Sequence, residues 1–189
     1  MPERVTQYEK LAQQAVKVPV GIHPHNDSGV AVANALAAVR AGAVQVQGTM
    51  NGIGERCGNV DLTTVIPNLA LKMGYTCLRD GGASLQRLTE VSRYVYEIAN
   101  LNLVNGQPYV GVSAFAHKGG MHVHPVNKVA RSYEHVPPES VGNTRRVLVS
   151  ELSGVSNIAA KAGKKFDIEK DRAAQKRILD RVTQLEAEG

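Results

Sequence analysis

The stretch VPVGIHPHN, residues 18–26, determines how the rest of the chain is organised. Apolar residues alternate along its first half, as in a short β-strand over Val18–Ile22, and His23 and His25 follow at the strand's end. Residues two apart on a strand point to the same face and lie about 6.5 to 7 Å apart, so the two imidazoles can converge on one point. This spacing is typical of metal ligands, although a bare pair of this kind also occurs as ordinary polar residues at a strand end.

The residues around this stretch predict a βαβ unit. An amphipathic helix over 4–16 leads into the strand, and a small-residue helix over 29–41 follows it, with Asp27 or Ser28 as the N-cap and Gly42 as the terminator. Residues 43–48 alternate as a second strand, which the order of elements makes parallel to the first. In β/α units, catalytic and binding residues usually lie at the carboxyl ends of the strands. The paired histidines at such a position favour a divalent metal site.

A glycine-rich loop, TMNGIGERCGN at residues 49–59, follows the second strand. Gly52, Gly54 and Gly58 allow tight backbone conformations and the close approach of a ligand, and exposed N–H groups at the start of the next helix favour anions. The spacing matches neither the dinucleotide fingerprint nor the Walker loop. Alone, the loop is equally a long β/α connection with structural glycines, but adjacent strand ends would place it over the same pocket as the histidines.

Beyond the loop, the α/β pattern continues and then stops. The sequence predicts a helix over 60–74 interrupted by Pro67, a third strand over Tyr75–Leu78, a helix over 84–100 and a turn over 102–107. Short extended pieces with three more histidines, His117, His122 and His124, follow, and a charged, exposed helical tail begins near Ser156. Two or three parallel strands cannot close a barrel or form a covered open sheet, so the chain looks like the back part of a larger α/β fold.

Composition excludes several classes of protein. The 189 residues carry a net charge of +5, much of which comes from the last third, where bases are mixed with acids and lack the aromatic interleaving that nucleic-acid binding favours. No apolar run approaches the roughly 18 residues of a membrane helix and no signal core opens the chain, so we expect a cytoplasmic protein with no membrane or nucleic-acid partner. Cys57 and Cys77 lack CxxC spacing and are expected to be reduced, half-buried thiols.

Four motifs in order resemble one enzyme family. They are HPHNDSG, NGIGERCGN, SAFAHKGGMH and YEHVPPESVGN. Together they resemble the isopropylmalate, homocitrate and citramalate synthases of the DRE-TIM metallolyase group. The runs GNVDLTTVIPNLALKMG, AFAHKGGMHV and LVSELSGVSNI are most similar to those of the bacterial citramalate synthases. The resemblance covers essentially the whole chain.

This resemblance implies an α/β fold in the form of a partial (β/α)8 TIM barrel. Residues 1–107 would be the C-terminal portion of the catalytic barrel, about strands 6 to 8, and residues 108–189 would be small, mostly helical linker subdomains. The first-strand segment of the family, which supplies an Arg and an Asp metal ligand, is not in this sequence, and neither is the C-terminal regulatory domain. We therefore expect a chain that has no turnover alone.

The resemblance also assigns roles to individual residues. His23 and His25 would bind a divalent ion (Zn, Mn, Mg or Co) with Asn59 as a further ligand, and Asn51, Gly52 and Gly54 would form the cofactor-binding loop. Arg56 and Glu55 are assigned to holding that loop. His122 and Tyr133 are the expected catalytic residues, acting across a homodimer, with His117 as the weaker candidate and Glu134 merely adjacent to the tyrosine.

The implied reaction is a Claisen-type condensation of acetyl-CoA with a 2-oxo acid. Pyruvate, which would give citramalate for isoleucine biosynthesis, is the leading substrate, and an isopropylmalate or homocitrate synthase is the alternative. A third reading is a truncated or split chain that needs a companion carrying the first strands.

Overall fold

The computed structural model describes residues 1–118, 134–148 and 155–188. These parts contain six α-helices and four short β-strands. The helices are α1 Pro2–Ala15, α2 Ala31–Ala41, α3 Leu62–Pro67, α4 Leu88–Ile98, α5 Val155–Phe166 and α6 Arg172–Glu188. The strands are β1 Gly21–Ile22, β2 Gln45–Val46, β3 Ala116–Lys118 and β4 Arg146–Leu148.

The predicted βαβ unit is present. Strands β1 and β2 pair in parallel, with Gly21 opposite Gln45 and Ile22 opposite Val46, and α2 connects them. Helix α2 ends where predicted, because Gly42 adopts the left-handed φ of 115° and turns its N–H back to the last helical carbonyls. The expected cap at Asp27 or Ser28 is wrong: the Oδ1 atom of Asn26 accepts the N–H of Ala31 at 3.2 Å instead.

Two hydrophobic cores organise the described residues. The first lies between α2 and α3, where small side chains let the helices approach closely, and its buried members are Ala31, Ala35, Val60, Val65 and Leu69. Helix α1 packs against α2, and the side chain of Gln13 donates to the carbonyl of Ala41 at 3.2 Å. The second core joins the start of α4 to the residues that follow it, with Leu85, Leu88, Tyr109, Val110, Phe115, Val136 and Val141 buried.

The strands are shorter than the sequence predicts. Only residues 21–22 and 45–46 of the predicted 18–22 and 43–48 form a ladder, because within the described residues β1 and β2 pair only with each other. Tyr75–Leu78 forms no strand, so that prediction is wrong: these residues follow a turn and cross the surface without a neighbouring strand in the described part of the chain. Strands β3 and β4 form a second parallel pair, with His117 opposite Val147.

Two of the predicted helices contain a segment that is not α-helical. The interruption at Pro67 is confirmed: α3 ends there and a wider π-helical turn, Asn68–Lys72, continues it, because proline has no N–H for the carbonyl four residues earlier. The helix expected over 84–100 begins as a tight 3-10 segment, Ala83–Arg87, before α4. Cys57 and Cys77 are free thiols as predicted, but both are exposed rather than half-buried.

The described residues form an α/β protein with one parallel strand pair, β1 and β2, in the amino-terminal half and a second, β3 and β4, nearer the carboxyl end. None of their helices combines the length and the apolar character that crossing a membrane requires.

Candidate metal site and its supporting loop

The paired histidines lie together at the carboxyl end of β1. The ring centroids of His23 and His25 are 5.2 Å apart, and the ring planes meet at 73°. Backbone hydrogen bonds fix the chain before and between them: the carbonyl of Ile22 accepts the N–H of Gln47 at 2.8 Å, and the carbonyl of Pro24 accepts the N–H of Val60 at 2.9 Å. The structure therefore brings the two imidazoles together, as the alternation of the sequence predicts.

Asn59 is the direct neighbour of His25. The two residues form an isolated antiparallel bridge, and the N–H of Asn26 donates to the carbonyl of Gly58 at 2.9 Å. Side chains directly opposite each other in an antiparallel pair share one face, with Cβ atoms about 4.5 to 5.5 Å apart. The carboxamide of Asn59 is oriented by its Nδ2 group, which donates to the carbonyl of Ile53 at 3.2 Å. The amide oxygen is thus left for another partner.

Two buried polar atoms at this point have no hydrogen-bond partner among the residues that the structure describes. They are the Nδ1 atom of His25 and the Oδ1 atom of Asn59. A buried acceptor without a partner costs about 1 to 3 kcal/mol, so such atoms call for an explanation. An imidazole nitrogen and a carboxamide oxygen are both ligands for divalent metals, and one cation would satisfy both atoms at once. The residues present therefore fit a metal ion.

The donor set is small. Among the described residues, no three His, Cys, Asp or Glu side chains come together in a way that could hold a metal ion. The site supplies two imidazoles and one carboxamide, whereas zinc usually takes four ligands and magnesium six. The remaining positions are left for water, substrate or another polypeptide.

The glycine-rich loop is fitted closely around Asn59. An added Cβ at Gly54 would overlap the Nδ2 atom of Asn59, and one at Gly58, whose φ is +92°, would overlap the carbonyl oxygen of Gly52. The same carbonyl accepts the N–H of Asn59 at 3.1 Å. These glycines shape the loop so that Asn59 lies opposite His25.

Asn51 contacts protein rather than open space. Its Oδ1 atom accepts the hydroxyl of Ser92 at 2.6 Å, and its Nδ2 group donates to the carbonyl of Ser92 at 2.9 Å. Its φ of 64° is in the left-handed region. The side chain thus anchors the loop to α4, and the role in cofactor binding expected for Asn51, Gly52 and Gly54 stays a prediction.

An exposed ion pair links the two loops of the site. Arg56 and Asp27 approach to 2.9 Å, and a weaker contact of 3.5 Å joins Arg56 to Glu55. The hydrogen bond from Arg56 lowers the pKa of the Asp27 carboxyl. This geometry agrees with the role in holding the loop that the sequence suggests for Arg56.

His117 belongs to a second cluster, with Glu134 and Arg145. The Nε2 atom of His117 lies 3.0 Å from Glu134, and Arg145 donates to both carboxylate oxygens, through Nε at 2.6 Å and through Nη2. Glu134 is only 5% exposed, and the hydrogen bond from Arg145 is the main cause of its lowered pKa. Two other predicted catalytic residues, His122 and Tyr133, lie outside the described residues.

Sequence reasoning missed the importance of three residues. Glu134 is the centre of a buried ion cluster rather than a bystander, and Arg145 is its main partner. Gln107, assigned only to a turn, is buried and bonded to four side chains. Their contacts join residues 11 to 56 positions apart, which no local spacing rule detects.

Paired histidines at a strand end, with a carboxamide on the neighbouring β/α loop, define an α/β protein with a candidate cation site at the carboxyl ends of its parallel strands. Comparison with known families narrows this class of protein to one family. Residues 1–95 match the model described as HMGL-like, and residues 109–189 match the model described as homocitrate synthase post-HMGL domain-like. The chain belongs to the HMGL-like family.

Curated relatives carry two kinds of name. The chain is 49% identical, over its whole length, to a protein of Geobacter sulfurreducens named (R)-citramalate synthase, and 48% identical to one of Aquifex aeolicus with the same name. It is 43% identical, over 93% of its length, to a probable 2-isopropylmalate synthase of Methanopyrus kandleri. The chain spans 36% of the length of each of the first two relatives and 34% of the third.

Proposed function

We propose that this chain supplies a divalent metal site to an enzyme that condenses acetyl-CoA with a 2-oxo acid, pyruvate being the substrate and citramalate, an isoleucine precursor, the product. The observation that carries the proposal is the pair of buried, unpartnered atoms, His25 Nδ1 and Asn59 Oδ1, on directly opposed residues. Relatives named (R)-citramalate synthase at 48 to 49% identity support the choice of reaction.

The residues of the chain would hold the metal ion and fix the orientation of its ligands. His23 and His25 would bind the ion as neutral imidazoles, and Asn59 would bind it through its amide oxygen. This mixed nitrogen and oxygen set tolerates Zn, Mn, Co or Mg. When bound, the ion supplies Lewis-acid polarisation of the keto group of the 2-oxo acid.

Among the described residues, we assign the movement of a proton to His117. Glu134 holds its Nε2 atom at 3.0 Å, as a carboxylate orients an imidazole in many general-base sites. The opposite ring nitrogen, Nδ1, would then exchange the proton when the methyl group of acetyl-CoA is activated. His122 and Tyr133 remain proposed partners in this step, across a homodimer interface of the complete enzyme.

A second candidate within the family is an isopropylmalate or homocitrate synthase. The relative named probable 2-isopropylmalate synthase, at 43% identity, and the homocitrate synthase-like model over residues 109–189 favour it. The three reactions share acetyl-CoA and differ in the side chain of the oxo acid, so a comparison of substrates separates them.

We further propose that residues 1–107 form part of a (β/α)8 barrel and act only with the remaining strands. The β1–β2 pair alone cannot enclose a pocket, and the described residues give the ion three donors. We expect no CoA release from the 189-residue chain with acetyl-CoA and pyruvate.

The test is a CoA-release assay on the chain, alone and mixed with the part of the Geobacter relative that precedes the matched region. Pyruvate, 2-oxoisovalerate and 2-oxoglutarate are compared. We expect release only in the mixture and only with pyruvate, lost in His23→Ala and retained in the control Asn102→Ala. Preference for another oxo acid would favour the second candidate, and release that survives His23→Ala would overturn the proposed role of the site.

A further inference from the structure

A buried polar cluster lies outside the metal site and joins the glycine-rich loop to the segment after α4. Its central residue is Gln107, which is 7% exposed. The side chains bonded to Gln107 come from three parts of the chain and are Asn51, Asp61, Thr63 and Tyr96.

Gln107 uses both ends of its carboxamide. Its Nε2 group lies 3.1 Å from Asp61 Oδ2, 3.1 Å from Thr63 Oγ1 and 3.3 Å from Asn51 Oδ1, while its Oε1 atom accepts the hydroxyl of Tyr96 at 2.9 Å. Burial is the main cause that raises the pKa of Tyr96, which keeps this hydroxyl protonated as a donor. The two N–H donors on Nε2 thus have three acceptors within reach, and a side chain needs both donors and an acceptor at its tip to serve partners of both kinds.

These contacts fix the loop that carries Asn59 on both sides of that residue. Asn51 precedes Asn59 by eight residues and Asp61 follows it by two, so one amide group, that of Gln107, spans the loop at its base. Between these anchors, the N–H of Asn59 donates to the carbonyl of Gly52, and just outside them the N–H of Thr49 donates to the carbonyl of Val60 at 3.1 Å. Movement of the Gln107 amide would therefore shift the position of the Asn59 carboxamide.

We propose that Gln107 is a positioning residue for the metal ligand Asn59, so that the segment after α4 controls the geometry of the metal site. The inference rests on the proposed function, because it requires Asn59 to bind the ion. Gln107 lies between the two stretches that the family models match, residues 1–95 and 109–189. Three of its four side-chain partners, Asn51, Asp61 and Thr63, lie in the first matched stretch, so its hydrogen bonds fasten this connecting segment to that stretch.

The first test is a double-mutant cycle. Each variant is titrated with Co²⁺, and the visible absorption of the bound ion measures how much has bound. Gln107→Met keeps the length of the side chain and removes its hydrogen bonds. We expect it to weaken Co²⁺ binding about tenfold, the lower end of the effect of outer-shell partners. In an Asn59→Ala background, the same change should alter binding less than twofold, because the effect passes through Asn59.

The matched control is Gln175→Met. Gln175 is as buried as Gln107 and donates to the carbonyls of Ile168 and Glu169, away from the loop. The Gln175→Met variant should bind Co²⁺ as tightly as the wild type does. Equal loss in both single variants, or full additivity with Asn59→Ala, would overturn the positioning role.

A second measurement needs no metal and separates this inference from the proposed function. In the metal-free chain, exchange of the Asn59 backbone amide should be at least tenfold faster in Gln107→Met than in wild type. Exchange of the Asn34 amide, which donates to the carbonyl of Val30 at the start of α2, should not change. Unaltered exchange at Asn59 overturns the positioning of the loop, whereas a wild-type chain that binds no Co²⁺ overturns only the proposed metal site.

Discussion

Gly54 shows how closely single residues are fitted around the candidate metal ligand. An added methyl group there would overlap the side-chain amide of Asn59 and approach its backbone nitrogen to 3.0 Å. We expect Gly54→Ala to displace the carboxamide and weaken Zn²⁺ binding about tenfold, as measured by competition with a chromophoric chelator. Gly106→Ala is the control, because an added Cβ there meets no atom within 4 Å. Equal Zn²⁺ affinity in the two variants would contradict this description of the loop.

Glu134 is a second residue whose substitution gives a defined result. It is buried and accepts hydrogen bonds from Arg145, so Glu134→Gln should lower the free energy of unfolding near neutral pH by about 2 kcal/mol. The control is Glu90→Gln, which removes an exposed pair with Arg87 and should cause no measurable change.

The pH dependence of Glu134 follows from the direction of its pKa shift. Its pKa in the folded chain is lowered from 4.5, so the stability that the carboxylate contributes is present above about pH 4.5. That contribution is lost as the pH falls through the lowered pKa. The difference between wild type and Glu134→Gln in urea unfolding should therefore shrink below pH 4.5. A difference that grows on acidification would contradict the charged pairing.

The residues that could be predicted from the sequence are those with a local signal. Alternation placed His23 and His25 together, and resemblance to a family added Asn59. The partners of Glu134 and Gln107 could not be predicted, because contacts with Arg145 and Asn51 depend on how distant segments pack. Polar residues in loops look alike in sequence whether they become buried or stay in solvent.

At the scale of elements, helices were easier to predict than strands. Helices α1 and α2 carry their hydrogen bonds within themselves, so periodicity and the terminator Gly42 indicated their extent. A strand ends where its neighbour ends, and β1 and β2 have only each other in the described residues. The predicted third strand at Tyr75–Leu78 failed for the same reason: an extended apolar segment forms a strand only with a partner.

Helix α4 is tied to the turn at Pro138–Val141 by one buried hydrogen bond. The hydroxyl of Thr89 donates to the carbonyl of Val141 at 2.7 Å. Thr89→Val keeps the shape and leaves the carbonyl unpaired, so it should lower the free energy of unfolding by about 1 to 2 kcal/mol in chemical denaturation. Thr183→Val, which removes an exposed bond to Leu179 within α6, should have a much smaller effect. The reverse order of the two effects would contradict the packing of α4 on this turn.

At the scale of the whole molecule, the site joins separate segments, so its ligand should stabilise the fold. The ion would connect the end of β1 to the loop after β2, and a ligand that binds only the folded state stabilises it by mass action. At a Zn²⁺ concentration a hundred times the dissociation constant, we expect a gain of about 2.7 kcal/mol in the free energy of unfolding. A chelator should reverse this gain, and His25→Ala should abolish it. The same gain in His25→Ala would show that zinc binds elsewhere.

The central claim is that two imidazoles and a carboxamide hold one divalent cation. X-ray absorption spectroscopy of the zinc-loaded chain tests it most directly, because it counts ligands by element and distance. We predict scattering from two imidazoles with nitrogen or oxygen neighbours at about 2.0 to 2.2 Å, and loss of one imidazole in His23→Ala. A sulfur neighbour at about 2.3 Å, from the exposed thiol of Cys57 in the loop, or an imidazole count that His23→Ala leaves unchanged, would contradict the account.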